Sequence, residues 1–208
     1  MGLDSSPASL VVDNLSCRYL TRQDFALRDV SFEAQPGQIV LIAGASGCGK
    51  TTLLRCVNGL IPRSYKAELK GRVLLHGKDY SEEPLSAISQ VVGTVLQDPV
   101  RQIVGAYVQN EVAFGLENLG LPRDEIIRRV DETLEYLGIA HLKERETFTL
   151  SGGEQQKVSL GGVLAMRPDI LALDEPLANL DPASAQEALR LISWLADEGK
   201  TILLIEHR

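Results

Sequence analysis

The sequence lacks both a long apolar segment and an excess of positive charge. No run approaches the ~20 apolar residues that a membrane-spanning helix needs, and the first residues, MGLDSSPASL, contain no signal-peptide apolar stretch. Lysine and arginine number 21 against 28 aspartates and glutamates, which gives a net charge of −7. A general nucleic-acid-binding protein usually shows a basic stripe, so we expect a cytoplasmic protein without a nucleic-acid partner.

Cysteine is also scarce. Cys17, Cys48 and Cys56 form neither a CxxC pair nor a Cys/His ligand spacing, so we expect neither a disulfide framework nor a zinc site. The chain has 208 residues, of which 44% are apolar. This length and composition suit one globular domain, or one domain with an insertion, that buries a proper core.

The apolar patterns that are present predict an α/β fold. Strands are predicted at 10–20, 25–38, 39–43, 91–96, 170–173 and 201–207, and helices at 51–60, 110–120, 125–138, after 150 and at 183–199. The continuous apolar run IVLIA at 39–43 suits a strand that is buried on both faces. Strands that alternate with helices imply a parallel sheet. No linker flanks the helical segment at about 98–160, so we predict an insertion within a single domain, 1–208.

A glycine-rich loop follows the strand at 39–43. GASGCGKT, residues 44–51, fits the pattern G-x-x-x-x-G-K-[ST], and its strand–loop–helix context is that of a phosphate-binding P-loop. Glycines let backbone N–H groups face the phosphates, Lys50 reaches the β- and γ-phosphates, and the Thr51 hydroxyl ligates Mg²⁺. The predicted nucleotide-binding residues here are Gly44, Ala45, Ser46, Gly47, Cys48, Gly49, Lys50, Thr51 and Thr52.

Two carboxylates follow the apolar strand at 170–173. Asp174 and Glu175 stand at its carboxyl end, where a purely structural role is a poor explanation because buried charges need partners. We predict that Asp174 ligates Mg²⁺ through water and that Glu175 polarises the attacking water. Gln97, which follows the strand at 91–96, is predicted to reach both Mg²⁺ and that water.

A second glycine turn occurs about a hundred residues beyond the first. LSGGEQQK, residues 150–157, sets two glycines before a predicted helix, and Ser151 with Glu154 forms the S-x-x-E pattern of a capping box. The same turn presents a hydroxyl and backbone N–H groups that suit an anion. The helix-cap interpretation and the anion-binding interpretation are compatible.

Taken in order, these segments resemble ABC ATPases over nearly the whole chain. Beyond the P-loop, the resemblance rests on Gln97, the signature LSGGEQ at 150–155, LALDEP at 171–176, NLD at 179–181 and His207. It implies a P-loop NTPase (RecA-like) core with N-terminal antiparallel strands and an inserted α-helical subdomain, with ATP and Mg²⁺ as cofactors. It further implies that Tyr19 packs on adenine and His207 supports the γ-phosphate.

The resemblance also implies partners. In a head-to-tail homo- or heterodimer with a second ABC ATPase subunit or domain, Ser151, Gly152 and Gly153 would contribute to the ATP site of the partner. Asp181, in the NLD stretch that resembles the D-loop of the family, is also predicted to bind the nucleotide. The stretch 96–122 is similar to the ATPases of energy-coupling-factor importers and their cobalt or nickel relatives, which take up vitamins or metal ions. These ATPases bind a transmembrane coupling subunit at the cytoplasmic face of the cell membrane. Asp98, Glu111 and Glu117 are the predicted acidic contacts for arginines of that subunit.

An ABC-type ATPase with a non-transport role, in translation or DNA maintenance, is the alternative. A DNA-maintenance ATPase would carry long heptad coiled coils between the P-loop and the signature, and no sustained heptads occur here. A translation factor of this type would need two cassettes. Cassettes of the family continue with further strands and helices after the histidine that corresponds to His207. The sequence ends one residue later, at Arg208, so we expect that the C-terminal part of the family domain is missing.

Overall fold

The structure is a computed structural model that describes residues 8–178 and 180–207. The chain forms two compact units. The first unit comprises the described parts of Met1–Thr94, Asp169–Glu175 and Leu189–Arg208, and the second comprises Val95–Pro168 and the described parts of Pro176–Ala188. The assignment of 1–208 to one domain with an insertion at 98–160 stays a prediction.

The elements alternate between strand and helix along much of the chain. The strands are β1 Leu10–Tyr19, β2 Leu27–Ala34, β3 Ile39–Ala43, β4 Ala67–Leu75, β5 Lys78–Asp79, β6 Val92–Val95, β7 Ile170–Asp174 and β8 Thr201–Glu206. The helices are α1 Lys50–Val57, α2 Leu60–Arg63, α3 Leu85–Val91, α4 Pro99–Gln102, α5 Val108–Asn118, α6 Arg123–Tyr136, α7 Gly152–Leu164 and α8 Pro182–Asp197, with 3₁₀ turns at Ala140–Leu142 and Thr147–Thr149.

Two four-stranded sheets build the first unit. The N-terminal sheet has the order β2-β1-β4-β5, and each neighbouring pair is antiparallel. The other sheet has the order β3-β8-β7-β6, and β8 is parallel to both β3 and β7. The predicted combination of N-terminal antiparallel strands with a parallel sheet is therefore confirmed.

The parallel sheet brings the carboxyl ends of three strands together. Ala43 pairs with Glu206 and Asp174 pairs with Ile205, so β3, β7 and β8 end side by side. The residues that follow these strands are therefore neighbours, although they are far apart in sequence. β7 and the apolar part of β8 are buried throughout, as expected for strands of a parallel sheet.

The prediction that β3 is buried on both faces is wrong. Ile39 is 41% exposed and Leu41 is 57% exposed, whereas Val40 and Ile42 pack against the core. The reason is position, because β3 is an edge strand of the sheet formed by the described residues. A continuous apolar run does not reveal whether a strand is central or lateral.

The second unit contains α4 to α7. The predicted amphipathic helix at 125–138 is α6, with Val130 and Leu134 buried. Helices α5 and α7 pack closely at glycines, since a Cβ on Gly161 would lie 3.3 Å from Val112. Within residues 8–178 and 180–207, every helix is too short or too polar to span a bilayer.

Candidate nucleotide site

The P-loop connects β3 to α1 without an intervening element. Gly47 and Gly49 have φ values of 79° and 106°, a region that side-chain-bearing residues rarely adopt. Gly49 is the N-cap of α1, which begins at Lys50. The backbone N–H groups at the start of α1 have no intrahelical partner, so this end of the helix favours an anion.

Lys50 is folded back onto its own loop. The side chain is buried, with the residue 7% exposed, and its Nζ donates to the carbonyl oxygens of Gly44 at 2.6 Å and Ala45 at 3.1 Å. The Nδ1 atom of His207 lies 3.5 Å from the same nitrogen. The loop thus holds the ammonium group beside the helix N-terminus, where a phosphate would meet both positive charge and backbone donors.

Asp174 faces the first turn of α1. Its residue is 8% exposed, and the Thr51 hydroxyl donates to its Oδ2 over 3.5 Å. Burial raises the pKa of the Asp174 carboxyl, and the negative charge of Glu175 raises it further. A hydroxyl and a carboxylate are the hard oxygen ligands that Mg²⁺ prefers, and a divalent cation would compensate the buried charge. The residues present therefore fit a magnesium ion at this position.

Glu175 is held in a constrained conformation. Its φ is 49°, in the left-handed region, and its backbone N–H donates to the Ile205 carbonyl at 2.9 Å. The residue is 6% exposed, and its Oε1 lies 2.6 Å from Nε2 of His207. Positive φ at a residue other than glycine costs free energy, and strained residues of this kind cluster at functional sites. The turn after β7 therefore fixes the Glu175 carboxylate beside His207, at the same end of the parallel sheet as Lys50.

Tyr19 ends β1 and reaches α1. Its hydroxyl lies 3.2 Å from Oγ1 of Thr52 and accepts from Arg55 at 3.4 Å, and its ring packs against the core. These contacts tie the side chain of Tyr19 to the helix that begins at the P-loop. The predicted packing of Tyr19 on adenine stays a prediction.

The signature residues belong to the second unit. Ser151 and Glu154 form the predicted capping box: the Ser151 backbone N–H and hydroxyl both donate to Glu154 Oε2 at 2.7 Å, and the Glu154 N–H donates to Ser151 Oγ at 3.4 Å. The hydrogen bonds from the Ser151 backbone N–H and, next, from the Ser151 hydroxyl lower the pKa of the Glu154 carboxyl. A Cβ on Gly153 would lie 3.2 Å from the Ser184 hydroxyl, so the glycine leaves little room there.

Asp181 acts as a cap at the start of α8. Its Oδ1 accepts from the backbone N–H of Ala183 at 3.0 Å and of Ser184 at 3.2 Å, and its Oδ2 accepts from the Ser184 hydroxyl at 2.5 Å. The hydroxyl of Ser184, and then the two backbone donors, lower the pKa of Asp181. Asn179 of the NLD stretch lies outside the described residues.

The acidic contacts predicted after Gln97 need one correction. Gln97 follows β6 in the second unit, Asp98 caps α4 at Val100, and Glu117 is exposed. Glu111, in contrast, is 6% exposed, and its Oε2 accepts from the backbone N–H groups of Val104 and Gly105, each at 2.7 Å. A carboxylate enclosed in this way is not an external contact. Glu111 follows buried Val108 by three residues, the spacing of neighbours on one helix face, and this spacing was an available signal for burial.

The chain is similar to known proteins over nearly its whole length. The family model described as "ABC transporter" matches residues 27–178. A provisionally named ABC transporter ATP-binding protein of Methanosarcina acetivorans is 45% identical over 206 residues, 99% of this chain and 33% of that protein. The provisionally named HMP/thiamine import ATP-binding protein YkoD of Bacillus subtilis is 44% identical over 201 residues, 96% of this chain and 37% of that protein. The chain thus spans about a third of the length of these curated relatives.

A solved structure extends the likeness to three dimensions. CbiO1 from Clostridium perfringens, described as part of the ABC transporter complex CbiONQ, superposes with a TM-score of 0.86 at 36% identity, over 97% of this chain and 79% of that one. This likeness confirms the P-loop NTPase fold of the ABC type. Because the family model covers most of the chain and the P-loop, the carboxylates and the capped signature helix all have their expected local structure, the chain belongs to the ABC transporter family of ATPases.

Proposed function

We propose that this chain binds and hydrolyses ATP to power a membrane importer of the energy-coupling-factor type, which takes up a vitamin or a transition-metal ion. The observation that carries the ATPase part is a cluster of side chains at the carboxyl ends of the parallel strands. There Lys50, Asp174, Glu175 and His207 lie beside the P-loop. The likeness to CbiO1 and YkoD supports the importer part.

The residues of the first unit divide the chemistry between them. Lys50 would leave the carbonyls of Gly44 and Ala45 and bind the phosphates, since phosphate oxygens are charged acceptors and carbonyls are neutral ones. Thr51 and Asp174 would hold Mg²⁺, directly or through water, and the metal supplies positive charge to the phosphate oxygens. Glu175 would accept the proton of the attacking water, and His207 would orient Glu175 and donate toward the γ-phosphate.

The second unit would complete the site of another subunit. Ser151, Gly152 and Gly153 stand at the N-terminus of a 13-residue helix, where a hydroxyl and the backbone N–H groups of the first helical turn suit a γ-phosphate. In a head-to-tail dimer these groups would meet the ATP that the partner's P-loop binds. ATP would then hold the subunits together, and hydrolysis would release them. The half-buried acid Asp98 and the exposed acid Glu117 would contact a transmembrane coupling subunit at the cytoplasmic face of the membrane.

Substitution of Glu175 tests the hydrolytic role. Glu175→Gln should retain ATP binding but lower kcat by about 10²- to 10⁴-fold, the usual contribution of a general base, because an amide cannot accept the proton. The measurement is steady-state phosphate release together with ATP-dependent dimer formation by light scattering. Glu198→Gln, an exposed residue after α8, is the control. Turnover by Glu175→Gln at the wild-type rate would remove Glu175 from this role.

Uptake experiments test the transport role. Cells that express the full-length protein should accumulate labelled thiamine or Co²⁺, and cells with Glu175→Gln should not. If the purified protein hydrolyses ATP through Glu175 but uptake of neither substrate class depends on it, the importer assignment fails and the non-transport alternative gains support.

A further inference from the structure

Glu111 is a buried carboxylate that the nucleotide chemistry does not use. It lies in the first turn of α5, and one oxygen, Oε2, accepts both backbone N–H groups of the loop that follows α4. Charge-assisted hydrogen bonds of this kind are about twice as strong as neutral ones. The carboxylate therefore holds Val104 and Gly105 against α5.

The loop has almost no freedom to leave this position. A Cβ on Gly105 would lie 2.4 Å from the backbone nitrogen of Glu111 and 2.7 Å from its Cα, so only glycine permits the approach. The Gly105 carbonyl in turn accepts from the Thr147 hydroxyl at 2.8 Å. Glu111 thus anchors one side of the loop, and Thr147 anchors the other.

Gln97 lies just upstream of α4, the short helix that leads into this loop. The backbone N–H of Leu96, directly before Gln97, donates to the Gln102 side chain at 2.8 Å, and the Ile103 N–H donates to the Pro99 carbonyl at 2.9 Å. Residues 96–105 therefore form one hydrogen-bonded segment, which we call the Gln97 segment. Its far end is the pair of N–H groups that Glu111 binds.

The downstream contacts lead to the signature. Thr147 precedes Ser151 by one 3₁₀ turn, and its carbonyl accepts from the Gln155 side chain at 3.2 Å. Glu111 also approaches α7 through its backbone, since a Cβ on Gly162 would lie 3.3 Å from the Glu111 carbonyl oxygen. Two routes thus join Glu111 to the signature helix, one through Thr147 and one through the close packing of α5 on α7.

We propose that Glu111 is a positioning residue that makes the Gln97 segment and the signature helix move as one body. The inference rests on the proposed function, in which Gln97 and Ser151 serve ATP sites. A displacement of the Gln97 segment would pull the loop at Val104 and Gly105, and the carboxylate would transmit it to α5 and to the start of α7. Glu111 would act on hydrolysis only through these partners, without touching the nucleotide.

Four variants of the full-length protein test the role. Glu111→Ala removes the acceptor, Glu111→Asp retains the charge but withdraws the oxygen, and Glu111→Gln retains an oxygen that can accept both N–H groups. Leu116→Ala, which truncates a fully buried side chain on the same helix, is the control for lost stability. Comparison of the thermal midpoints shows how closely the loss of stability in Leu116→Ala matches the loss in Glu111→Ala.

Kinetics separates positioning from stability. Glu111→Ala should lower kcat roughly tenfold, within the range found for residues that modulate coupling between sites, while the Kd for ATP at the P-loop stays unchanged. Glu111→Asp should behave like Glu111→Ala, and Glu111→Gln should restore most of kcat. Leu116→Ala should leave kcat near the wild-type value. Equal losses of kcat in Glu111→Ala and Leu116→Ala, or no loss in Glu111→Ala, would overturn the proposal.

Hydrogen exchange gives a readout that does not depend on hydrolysis. Glu111→Ala should accelerate amide exchange at 104–105 and also at 150–155, whereas Leu116→Ala should not transmit a change to 150–155. Acceleration confined to 104–105 would contradict the proposal even if the wild-type protein proved inactive. An inactive wild-type protein, or full activity in Glu175→Gln, would instead contradict the proposed function. Failure of the proposed function can therefore be told apart from failure of the role of Glu111.

Discussion

Gly49 and Gly47 differ in one respect that a pair of alanine substitutions can measure. Both residues have positive φ, 106° and 79°, so an alanine at either position is strained. At Gly49 a Cβ would also lie 2.4 Å from the carbonyl oxygen of Ala26, whereas at Gly47 no atom lies within 4 Å. Ala26 cannot easily retreat, because its N–H donates to the Cys17 carbonyl at 2.8 Å.

The expected losses follow from these contacts. Strain at positive φ costs about 1–2 kcal/mol, and forcing an extra methyl group into a packed site costs about 1–3 kcal/mol. Gly49→Ala should therefore lower the free energy of unfolding by about 2–5 kcal/mol, and Gly47→Ala by about 1–2 kcal/mol. At about 2–4 °C per kcal/mol for a chain of this size, the midpoint should fall by about 4–20 °C for Gly49→Ala.

Calorimetry and urea unfolding without nucleotide provide the measurement. The informative quantity is the difference between the two variants, because their shared strain cancels and the contact with the Ala26 carbonyl remains. Gly77→Ala, at a positive φ outside the P-loop and also without neighbours within 4 Å, is a second control for strain alone. If Gly49→Ala proves no less stable than Gly47→Ala, crowding at Ala26 does not explain the glycine, and the reasoning is refuted.

Three further predictions concern charge and assembly. Asp174→Asn should raise the thermal midpoint of the nucleotide-free protein at neutral pH but abolish Mg²⁺-dependent hydrolysis. Because burial raises the pKa of Asp174, this gain in thermal midpoint should shrink as the pH falls and the wild-type carboxyl takes up a proton. A gain that does not depend on pH would contradict the argument. Lys50→Ala and Ser151→Arg, each inactive alone, should regain trapping of labelled ATP when mixed, if the full-length protein forms homodimers; no gain after verified subunit exchange would refute the role of Ser151 across the interface. Glu117→Lys should weaken association with the transmembrane subunit without changing the Kd for ATP, whereas Glu198→Lys should affect neither, and unchanged co-purification would exclude this surface.

The local structure of the P-loop and of the turn after β7 was predictable from the sequence because its signals are local. Glycines at fixed spacing, a lysine and a threonine at a helix start, and two carboxylates after an apolar strand each require only a few consecutive residues. The capping box at Ser151 and Glu154 is local in the same sense and is confirmed. Helix α6 of the second unit was predictable because its apolar residues recur with the helical period, whereas the short helix α4 was not predicted.

The segment 64–90 carried no comparable signal. β4 is exposed over most of its length and therefore shows little apolar alternation. Gly71 interrupts it with a φ of 79°, opposite the register shift between Asp13 and Ser16 of β1. A Cβ at Gly71 would lie 2.4 Å from the carbonyl oxygens of Asp13 and Asn14, so the glycine is required by the strand pairing itself. Such a requirement exists only once the two strands are together.

Tertiary structure also decided the fate of particular side chains. The apolar run of β3 predicted burial on both faces, but the position of β3 at the sheet edge leaves Leu41 exposed. The charge of Glu111 predicted an external contact, but the loop after α4 encloses the carboxylate. The sequence by itself determined which groups the chain carries and the local turns that display them. Which of those groups are enclosed depends on neighbours that are distant in sequence, and only the packing of strands, loops and helices supplies them.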